Sequence, residues 1–367
     1  MDLAWLCLAI VGCGGPVQVS QSGRGAFEAS LAVLSSGRTA VSWYDTRHGN
    51  GEIYARLLDD RGQPQGPEIR LTDDPVESFE PDIVAFGEDL VVAWYEKDAN
   101  GAYQARLGRW SSEGRERWSV RIGSNSRIPV LRPHRERFFV AWVEQVAGET
   151  QVRSGWWSPD GAALTAAQTL GLASPNTWNL NAGFDDSGIA HVVYSAHLGT
   201  QSTEVFQARS DAETSQLTSD DGFPSAYPDI AWSGGRAAVT WFDERDGNRE
   251  IYLFVGALSD RELDGKARRI SKTQGESIGA YAAWNQDVLG LTWADALESQ
   301  HEIFFQRFDS NGNPLARAIQ VTHNPTDSLI PAIHPWKHGF ALTWNELVDR
   351  AAAHSPQARS EIFATLP

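Results

Sequence analysis

The chain repeats one unit about every 50 residues from near its start to its end. The repeat is clearest in residues 43–54 (WYDTRHGNGEIY) and 241–252 (WFDERDGNREIY), which place Trp, Asp, Arg, Gly-Asn and Glu at the same spacing. A module of this size made of short strands can bury its apolar face only against copies of itself. The repeat therefore predicts an architecture of stacked β-modules.

Seven units align on the aromatic residue that ends the second strand of each unit. These residues are Trp43, Trp94, Trp142, Tyr194, Trp241, Trp293 and Trp344. A short strand precedes each second strand, and a polar turn and a third strand with alternating apolar residues follow it. The chain has 15 Trp and one Met, a composition that favours strands over helical bundles. We expect the aromatic residues at these positions to pack between neighbouring units.

A fourth strand occurs six times inside the array, and in four of these copies it ends in an apolar residue followed by Thr or Ser, as in Leu71-Thr72. The last unit ends without one, but residues 17–20 (VQVS) supply a matching segment ahead of the first unit. An N-terminal strand that completes the last unit closes the array into a ring and leaves no open sheet edge. We therefore predict an all-β, seven-bladed β-propeller of four-stranded blades as a single domain over residues 17–367. A linear solenoid is the alternative, but it gives no reason for the split unit.

The fifth unit contains residues 217–218 (LT), 228–235 (PDIAWSGG) and 241–252 in succession. This succession resembles the TolB-type (PD40-like) propeller repeat. The likeness extends along the array and is strongest in units one, two, five and six. It implies a propeller fold, which in that family serves in periplasmic scaffolds and in substrate-gating domains of peptidases.

The first 16 residues have the pattern of an export signal. Residues 3–11 form an apolar run too short to span a bilayer. The following residues, Ile10-Val11-Gly12-Cys13, resemble a bacterial lipobox. That resemblance implies a signal peptide over residues 1–12, a lipid on Cys13 and a short tether over residues 13–16. The alternatives are an ordinary secretion signal and a misassigned start, because Asp2 is acidic and no Lys or Arg precedes the run.

The charge of the chain argues against two classes of partner, and its cysteine content bears on disulfide bonds. The net charge of −16 argues against binding to nucleic acid, whose phosphates require Lys and Arg, and against a basic patch for anionic lipid. The chain has two cysteines, Cys7 within the predicted signal and Cys13 at the predicted lipidation site. We therefore expect no disulfide framework in the mature protein.

The Asp-x-Arg-x-Gly-Asn turns have two interpretations. Carboxylate and amide oxygens in these turns are possible calcium ligands. They come from Asp45, Asn50 and Glu52 in the first unit and from Asp243, Asn248 and Glu250 in the fifth. In the structural interpretation, Asp caps turn amides and pairs with Arg, while Gly and Asn adopt left-handed conformations. The repetition of the turn favours the structural interpretation, and we predict no metal or other cofactor.

The loops before the first strands should meet at one end of the ring's axial channel, which we call the mouth. In our alignment the equivalent residues there are Glu28, Glu80, Ile128, Trp178, Tyr227, Ile278 and Ile330. Trp178 and Tyr227 suit stacking on a sugar or peptide, and we predict Glu28, Glu80, Arg127 and Asp229 as polar contacts. The structural alternative is that these residues plug the channel or pack beneath loops.

Residues 126–129 (SRIP) are similar to the Phe-Arg-Ile-Pro motif that begins the catalytic set of bacterial sialidases, although they lie in the third unit and not the first. The proper Asp-box of that family is absent, and no Gly-x-Ser-x-Gly, phosphate-loop or His-Glu-x-x-His string occurs. No catalytic residue is predicted.

These features favour a monomeric, lipid-anchored binding or scaffold module outside the cytoplasm, at the bacterial outer membrane or cell surface. Its partner would be a protein or glycan of the cell envelope. A sialidase-like glycosidase or polysaccharide-processing enzyme, with two carboxylates across the channel, is one alternative. A lectin with repeated weak sites between blades is another.

Overall fold

The computed structural model describes residues 15–258, 263–297, 300–348 and 359–365, and nearly all regular structure within them is β-strand. The strands form seven sheets of four, and every pairing between neighbouring strands is antiparallel. One 3-10 turn, Asp264–Lys266, lies between the third and fourth strands of the fifth sheet. The prediction of an all-β, seven-bladed propeller of four-stranded blades is confirmed.

Strand β1 (Val17–Gln18) belongs to the last blade, and the next 16 strands build blades 1 to 4 in chain order. Blade 1 contains β2 (Ala26–Val33), β3 (Thr39–Asp45), β4 (Glu52–Leu58) and β5 (Pro64–Arg70). Blade 2 contains β6 (Glu77–Phe86), β7 (Asp89–Lys97), β8 (Tyr103–Trp110) and β9 (Glu116–Ile122). Blade 3 contains β10 (Ser126–His134), β11 (Arg137–Val146), β12 (Glu149–Trp157) and β13 (Gln168–Leu172). Blade 4 contains β14 (Leu180–Phe184), β15 (Ala190–Ala196), β16 (Glu204–Arg209) and β17 (Ser215–Gln216).

The remaining strands complete the ring. Blade 5 contains β18 (Ser225–Ser233), β19 (Arg236–Asp243), β20 (Glu250–Gly256) and β21 (Arg268–Arg269). Blade 6 contains β22 (Ser277–Asn285), β23 (Val288–Leu297), β24 (Gln300–Phe308) and β25 (Ile319–Gln320). Blade 7 contains β26 (Ser328–Trp336), β27 (Gly339–Leu347), β28 (Ser360–Thr365) and β1. The first strands of neighbouring blades pack on one another around the axis, and β26 returns to β2.

The ring closes where β1 pairs with β28. Val17 lies opposite Ala364, and the amide of Val19 donates a 2.7 Å hydrogen bond to the carbonyl of Ile362. The side chain of Val19 is fully buried in the apolar cluster between blades 7 and 1. The N-terminal strand therefore completes the last blade, as the split unit predicts.

A hydroxyl and a carboxylate lock the outer edge of five blades. In blade 1, Thr72 Oγ1 donates to Glu52 Oε2 and accepts a 2.8 Å hydrogen bond from the amide of Ile53. The same pairing recurs as Thr218–Glu204, Ser271–Glu250, Thr322–Glu302 and Ser20–Glu361. The apolar-Thr/Ser signature of the fourth strand thus has a chemical reason. Ser20 gives the closing blade the same lock as the continuous blades.

The aromatic residues at the ends of the second strands pack between blades as predicted. All seven are at most 2% exposed. In five blades the ring also stacks on an aromatic residue of the third strand, as Trp43 does on Tyr54 at 6.1 Å. Burial of a ring this large contributes about 2–3 kcal/mol per site, and the stacked geometry adds about 1 kcal/mol.

The Asp-x-Arg-x-Gly-Asn turns serve the fold. Asp45 Oδ2 accepts a hydrogen bond from Trp43 Nε1 at 3.1 Å, and its Oδ1 accepts one from the Arg47 amide at 2.9 Å. Asp243 has the same role in blade 5. Asn50 Nδ2 donates to two backbone carbonyls of the loop that leads into blade 2. The donors around these carboxylates favour the structural interpretation of the turns. Within the described ranges, no three His, Cys, Asp or Glu side chains are grouped for metal binding.

The predicted signal segment, residues 1–12, and the predicted lipidation site Cys13 lie outside the described residues. In the part of the chain that the structure describes, no helix has the length and apolar character needed to cross a membrane.

Candidate functional site

The mouth is shaped by a β-bulge at the start of the first strand in six blades. Two residues bulge out of the register in each, for example between Phe27 and Ser30 or between Phe79 and Asp82. The first bulged residue has a positive φ, the left-handed conformation that such bulges require. These residues are Glu28, Glu80, Ile128, Tyr227, Gly279 and Ile330. A side chain other than glycine is strained in this conformation, and five of the six positions carry one.

The structure corrects the predicted alignment in two blades. Gly279 occupies the bulge of blade 6, where the alignment placed Ile278. In blade 4, Leu180 lies directly opposite Tyr194 without a bulge, so this blade has no equivalent of the bulged residue, and Trp178 lies two residues before Leu180. Trp178 nevertheless lies at the mouth, through contacts described below.

Glu28 and Glu80 meet at the mouth and form what we call the acidic pair. They occupy equivalent bulges of adjacent blades, and both are half-buried. Burial raises the pKa of Glu28 well above its ordinary value, and repulsion from Glu80 raises it further. Burial also raises the pKa of Glu80, although the Tyr95 hydroxyl opposes this rise with a 2.7 Å hydrogen bond to Glu80 Oε1. The pair is therefore a desolvated site in which ionisation of one carboxyl disfavours ionisation of the other.

Asp229 lies further along the first strand of blade 5 and joins two blades. Its Oδ2 accepts a 2.7 Å hydrogen bond from the Ala282 amide of blade 6. Asp82 Oδ2 makes the same bond to Leu131 across blades 2 and 3, at 2.8 Å. Burial raises the pKa of Asp229 to about 6. The predicted ligand contact at Asp229 is thus also a structural bridge.

Tyr281 lies in the electrostatic field of both groups of acids. Burial raises the pKa of its hydroxyl, and the negative charges of Asp229, Glu28 and Glu80 raise it further. Tyr227, half exposed at the bulge of blade 5, contributes to the same field.

A continuous series of aromatic rings borders the acidic pair. Successive ring centroids are 5.3, 5.4, 5.6, 5.8 and 5.6 Å apart. We call this series the aromatic arc; in order it contains Phe27, Tyr44, Phe79, Tyr95, Tyr103 and Trp178. The arc begins in blade 1, crosses blade 2 and ends at Trp178, which is 41% exposed.

Arg127 contacts the end of the arc and the loop before blade 4. Its guanidinium lies 4.5 Å from the centroid of the Trp178 ring. Its Nη2 donates to the carbonyls of Pro175 and Thr177 at 2.9 and 3.2 Å. In the same SRIP segment, Ser126 Oγ accepts from the Ala105 amide and donates to the Ile122 carbonyl. Arg127 therefore orders the loop before blade 4, and Ser126 ties the start of blade 3 to blade 2.

Exposed apolar side chains concentrate on the mouth face of the disc. Eight large apolar residues among the described ones are exposed, and two of these, Leu164 and Leu315, lie at the opposite face between third and fourth strands. The other six lie on the mouth side: Leu172, Trp178, Phe223, Tyr227, Ile330 and Val348. Scattered exposed apolar residues are ordinary, but a one-sided distribution marks a face suited to contacts.

The structure thus brings together Glu28, Glu80, Arg127 and Trp178 along one rim, while Tyr227 and Asp229 share with Glu28 and Glu80 an electrostatic effect on Tyr281. Sequence reasoning missed Tyr44, Tyr95, Tyr103 and Tyr281. A signal for the first two was present, because each directly follows the aromatic residue that ends its second strand.

Comparisons with known proteins agree with the fold. No protein-family model matches the chain, and no curated protein matches it either. A protein of unknown function from Dyadobacter fermentans matches with a TM-score of 0.58 at 12% identity, covering 98% of this chain and 100% of that one. An endosialidase of phage phi92 matches at 0.53 and 11% identity, over 96% and 68% of the two chains.

A third similar structure is an α-L-arabinofuranosidase from Fusarium graminearum. It has a TM-score of 0.53 and 9% identity, over 96% of this chain and 97% of that one. Likeness at these identities shows the fold, and the TolB-type resemblance stays a prediction because no family model supports it. The chain is a seven-bladed β-propeller whose structural neighbours include sialidase-like proteins.

Proposed function

We propose that the mouth is the ligand-binding site of a non-enzymatic recognition module. The observation that carries the proposal is the continuous aromatic arc beside the acidic pair, on the face that holds six of the eight exposed apolar side chains. Aromatic rings with a few convergent polar groups are the usual composition of sites that recognise sugars and peptides. The strands of the ring hold the rim residues in place, so ligand binding need not order these residues.

The chemistry of the rim bears on the enzyme alternative. Two carboxyl groups are the minimum for glycoside hydrolysis, and the acidic pair supplies two. The arabinofuranosidase neighbour makes a neutral sugar the relevant substrate to test. A sialoside is a poor fit, because its carboxylate would face the acidic pair while Arg127 is engaged by Trp178 and backbone carbonyls.

The lipobox-like residues before the ring support anchoring of the module at the cell envelope, with a protein or glycan of the same surface as its partner. Strand β1 begins four residues after Cys13, so an anchored disc would sit close to the bilayer. Incorporation of labelled palmitate that is unaffected by Cys13→Ala would remove the anchor from the proposal.

The binding proposal is tested with the full-length chain on arrays of glycans and peptides. We expect Trp178→Ala to lose at least tenfold in affinity for the array ligand, because the substitution removes the exposed end of the aromatic arc. The matched control is Leu315→Ala, which removes an exposed apolar side chain from the opposite face and should bind as the parent does.

Three results would contradict the proposal. Equal losses of affinity in Trp178→Ala and Leu315→Ala would show that the ligand does not bind at the mouth. Several equivalent ligands per chain in a titration would favour the lectin with repeated sites. Turnover of an arabinofuranoside or another neutral glycoside, abolished by Glu80→Gln, would make the protein an enzyme.

A further inference from the structure

Buried carboxylates at the blade edges of this protein have partners within the chain, either arginines or, as at Glu204, hydroxyl groups. Asp45 pairs with Arg47, Glu52 with Arg70 at 3.0 Å, and Glu250 with Arg269 at 2.7 Å. In the channel, Asp82 pairs with Arg132 at 2.8 Å. A charge taken out of water needs such compensation, and these pairings provide it within the chain.

The acidic pair does not follow this rule. Glu28 Oε2 is inaccessible to solvent and has no hydrogen-bond partner among the described residues. Glu80 receives the Tyr95 hydroxyl, which is neutral. No Lys, Arg or His of the described ranges forms an ion pair with either carboxylate. Two adjacent carboxyl groups are therefore held on strained bulges without a compensating cation.

The aromatic arc already binds cations at its other end. The Arg127 guanidinium lies over Trp178 at 4.5 Å, and Lys97 Nζ lies over Tyr103 at 5.8 Å. No cation of the described residues lies over Tyr44, Phe79 or Tyr95, the three rings nearest the acidic pair. Tyr44 and Phe79 are partly exposed and offer electron-rich ring surface that attracts an ammonium group, while Tyr95 is buried and contributes its hydroxyl to Glu80. The adjacent carboxylates supply the counter-charge.

We propose that the acidic pair and the adjoining rings Tyr44, Phe79 and Tyr95 bind the ammonium group of an amine-bearing ligand. The inference rests on the proposed function and specifies the ligand class for the same site. An organic ammonium suits the site better than a hard metal ion, which takes six or more oxygen ligands where this rim presents mainly rings. The ligand's cation takes the place that arginine takes beside Asp45, Glu52 and Glu250.

Two amines and their neutral counterparts test the proposal on the full-length chain by isothermal titration calorimetry. The amines are Nα-acetyl-lysine amide and glucosamine; the counterparts are Nα,Nε-diacetyl-lysine amide and N-acetylglucosamine. We expect at least one amine to bind tenfold or more tightly than its acetylated counterpart. The preferred amine distinguishes a peptide source from a sugar source.

Glu28→Gln and Glu80→Gln should each weaken binding of the preferred amine at least tenfold, because each removes one counter-charge. Glu136→Gln is the matched control; it makes the same change of charge in the exposed turn between β10 and β11, on the opposite face, and should bind as the parent does. Near-ultraviolet circular dichroism checks that each variant keeps its packing.

The outcomes separate this inference from the proposed function. Equal affinity for amines and acetylated probes, or amine binding that survives both Gln substitutions, overturns the ammonium site. Failure of both amines while the arrays show a Trp178-dependent ligand also overturns it, and leaves the mouth as the binding site. Arrays without any Trp178-dependent ligand would instead refute the proposed function.

Discussion

Val19→Asp should destabilise the folded ring by about 3–5 kcal/mol, a large share of the stability of an ordinary domain. Val19 is fully buried between blades 7 and 1, and its amide bonds to the Ile362 carbonyl at 2.7 Å. A carboxylate at this position would be desolvated without a cation, and relief of that penalty requires β1 to leave β28. Chemical denaturation followed by tryptophan fluorescence measures the loss.

The neighbouring residue supplies the control. Gln18 is exposed and lies on the same strand, so Gln18→Asp adds the same charge at the surface. It should change the free energy of unfolding by about 0.5 kcal/mol or less. If Val19→Asp and Gln18→Asp unfold at the same denaturant concentration as the parent, β1 does not close the ring.

The second large effect depends on pH. Glu204→Gln should stabilise the protein by about 2–3 kcal/mol at pH 8 and have little effect near pH 4. Burial raises the pKa of Glu204 to about 7 despite hydrogen bonds from Ser202 and Thr218. The folded protein therefore keeps a proton that the unfolded chain releases near pH 4.5. The stability that this proton confers is present at low pH and is lost as the pH rises through 7.

Burial is the main cause of the raised pKa of Glu204, and the negative charges of Asp221 and Asp220 add to it. Glu52 and Glu250 occupy the same position in blades 1 and 5, and each pairs with an Arg two residues before the Thr or Ser of its lock. In blade 4 that residue is Gln216, and Glu204 has hydroxyl partners but no ion pair with any residue that the structure describes.

Glu52→Gln is the control, because we expect it to change the stability in the opposite direction. It removes the ion pair with Arg70 and should destabilise the protein at pH 8. Thermal unfolding of both variants between pH 4 and pH 8 measures the two effects. A stability profile of Glu204→Gln that falls with pH as steeply as that of the parent would contradict the prediction.

The blade count and the closure follow from the sequence because they rest on local, repeated chemistry. The aromatic residue of each second strand must be buried between blades wherever it occurs, and all seven are. The closing segment is recognisable for the same reason, because Val19 and Ser20 repeat the apolar-hydroxyl signature of the other outer strands.

The mouth is less predictable, because it depends on how different blades meet. Whether the chain bulges at a first strand decides where the next side chain points, and blade 4 omits the bulge without an obvious signal in the residues before Leu180. Tyr103 of blade 2 contacts Trp178, which precedes blade 4. The repeat pattern of the sequence does not predict such a contact between parts of the ring that are not neighbours. Arg127 was predicted as a ligand contact from its position, but its direction is set by the Pro175 and Thr177 carbonyls.

In this fold, the residues that face the mouth are separate from the residues that lock the blades, two roles that many folds combine. Each bulged residue stands outside the ladder of its blade, while the hydroxyl–carboxylate locks lie at the far edge of the sheet. Substitutions of the bulged residues therefore leave the hydroxyl–carboxylate locks unchanged. During evolution, ligand specificity at the mouth can therefore change one residue at a time without a prior gain in the stability of the fold.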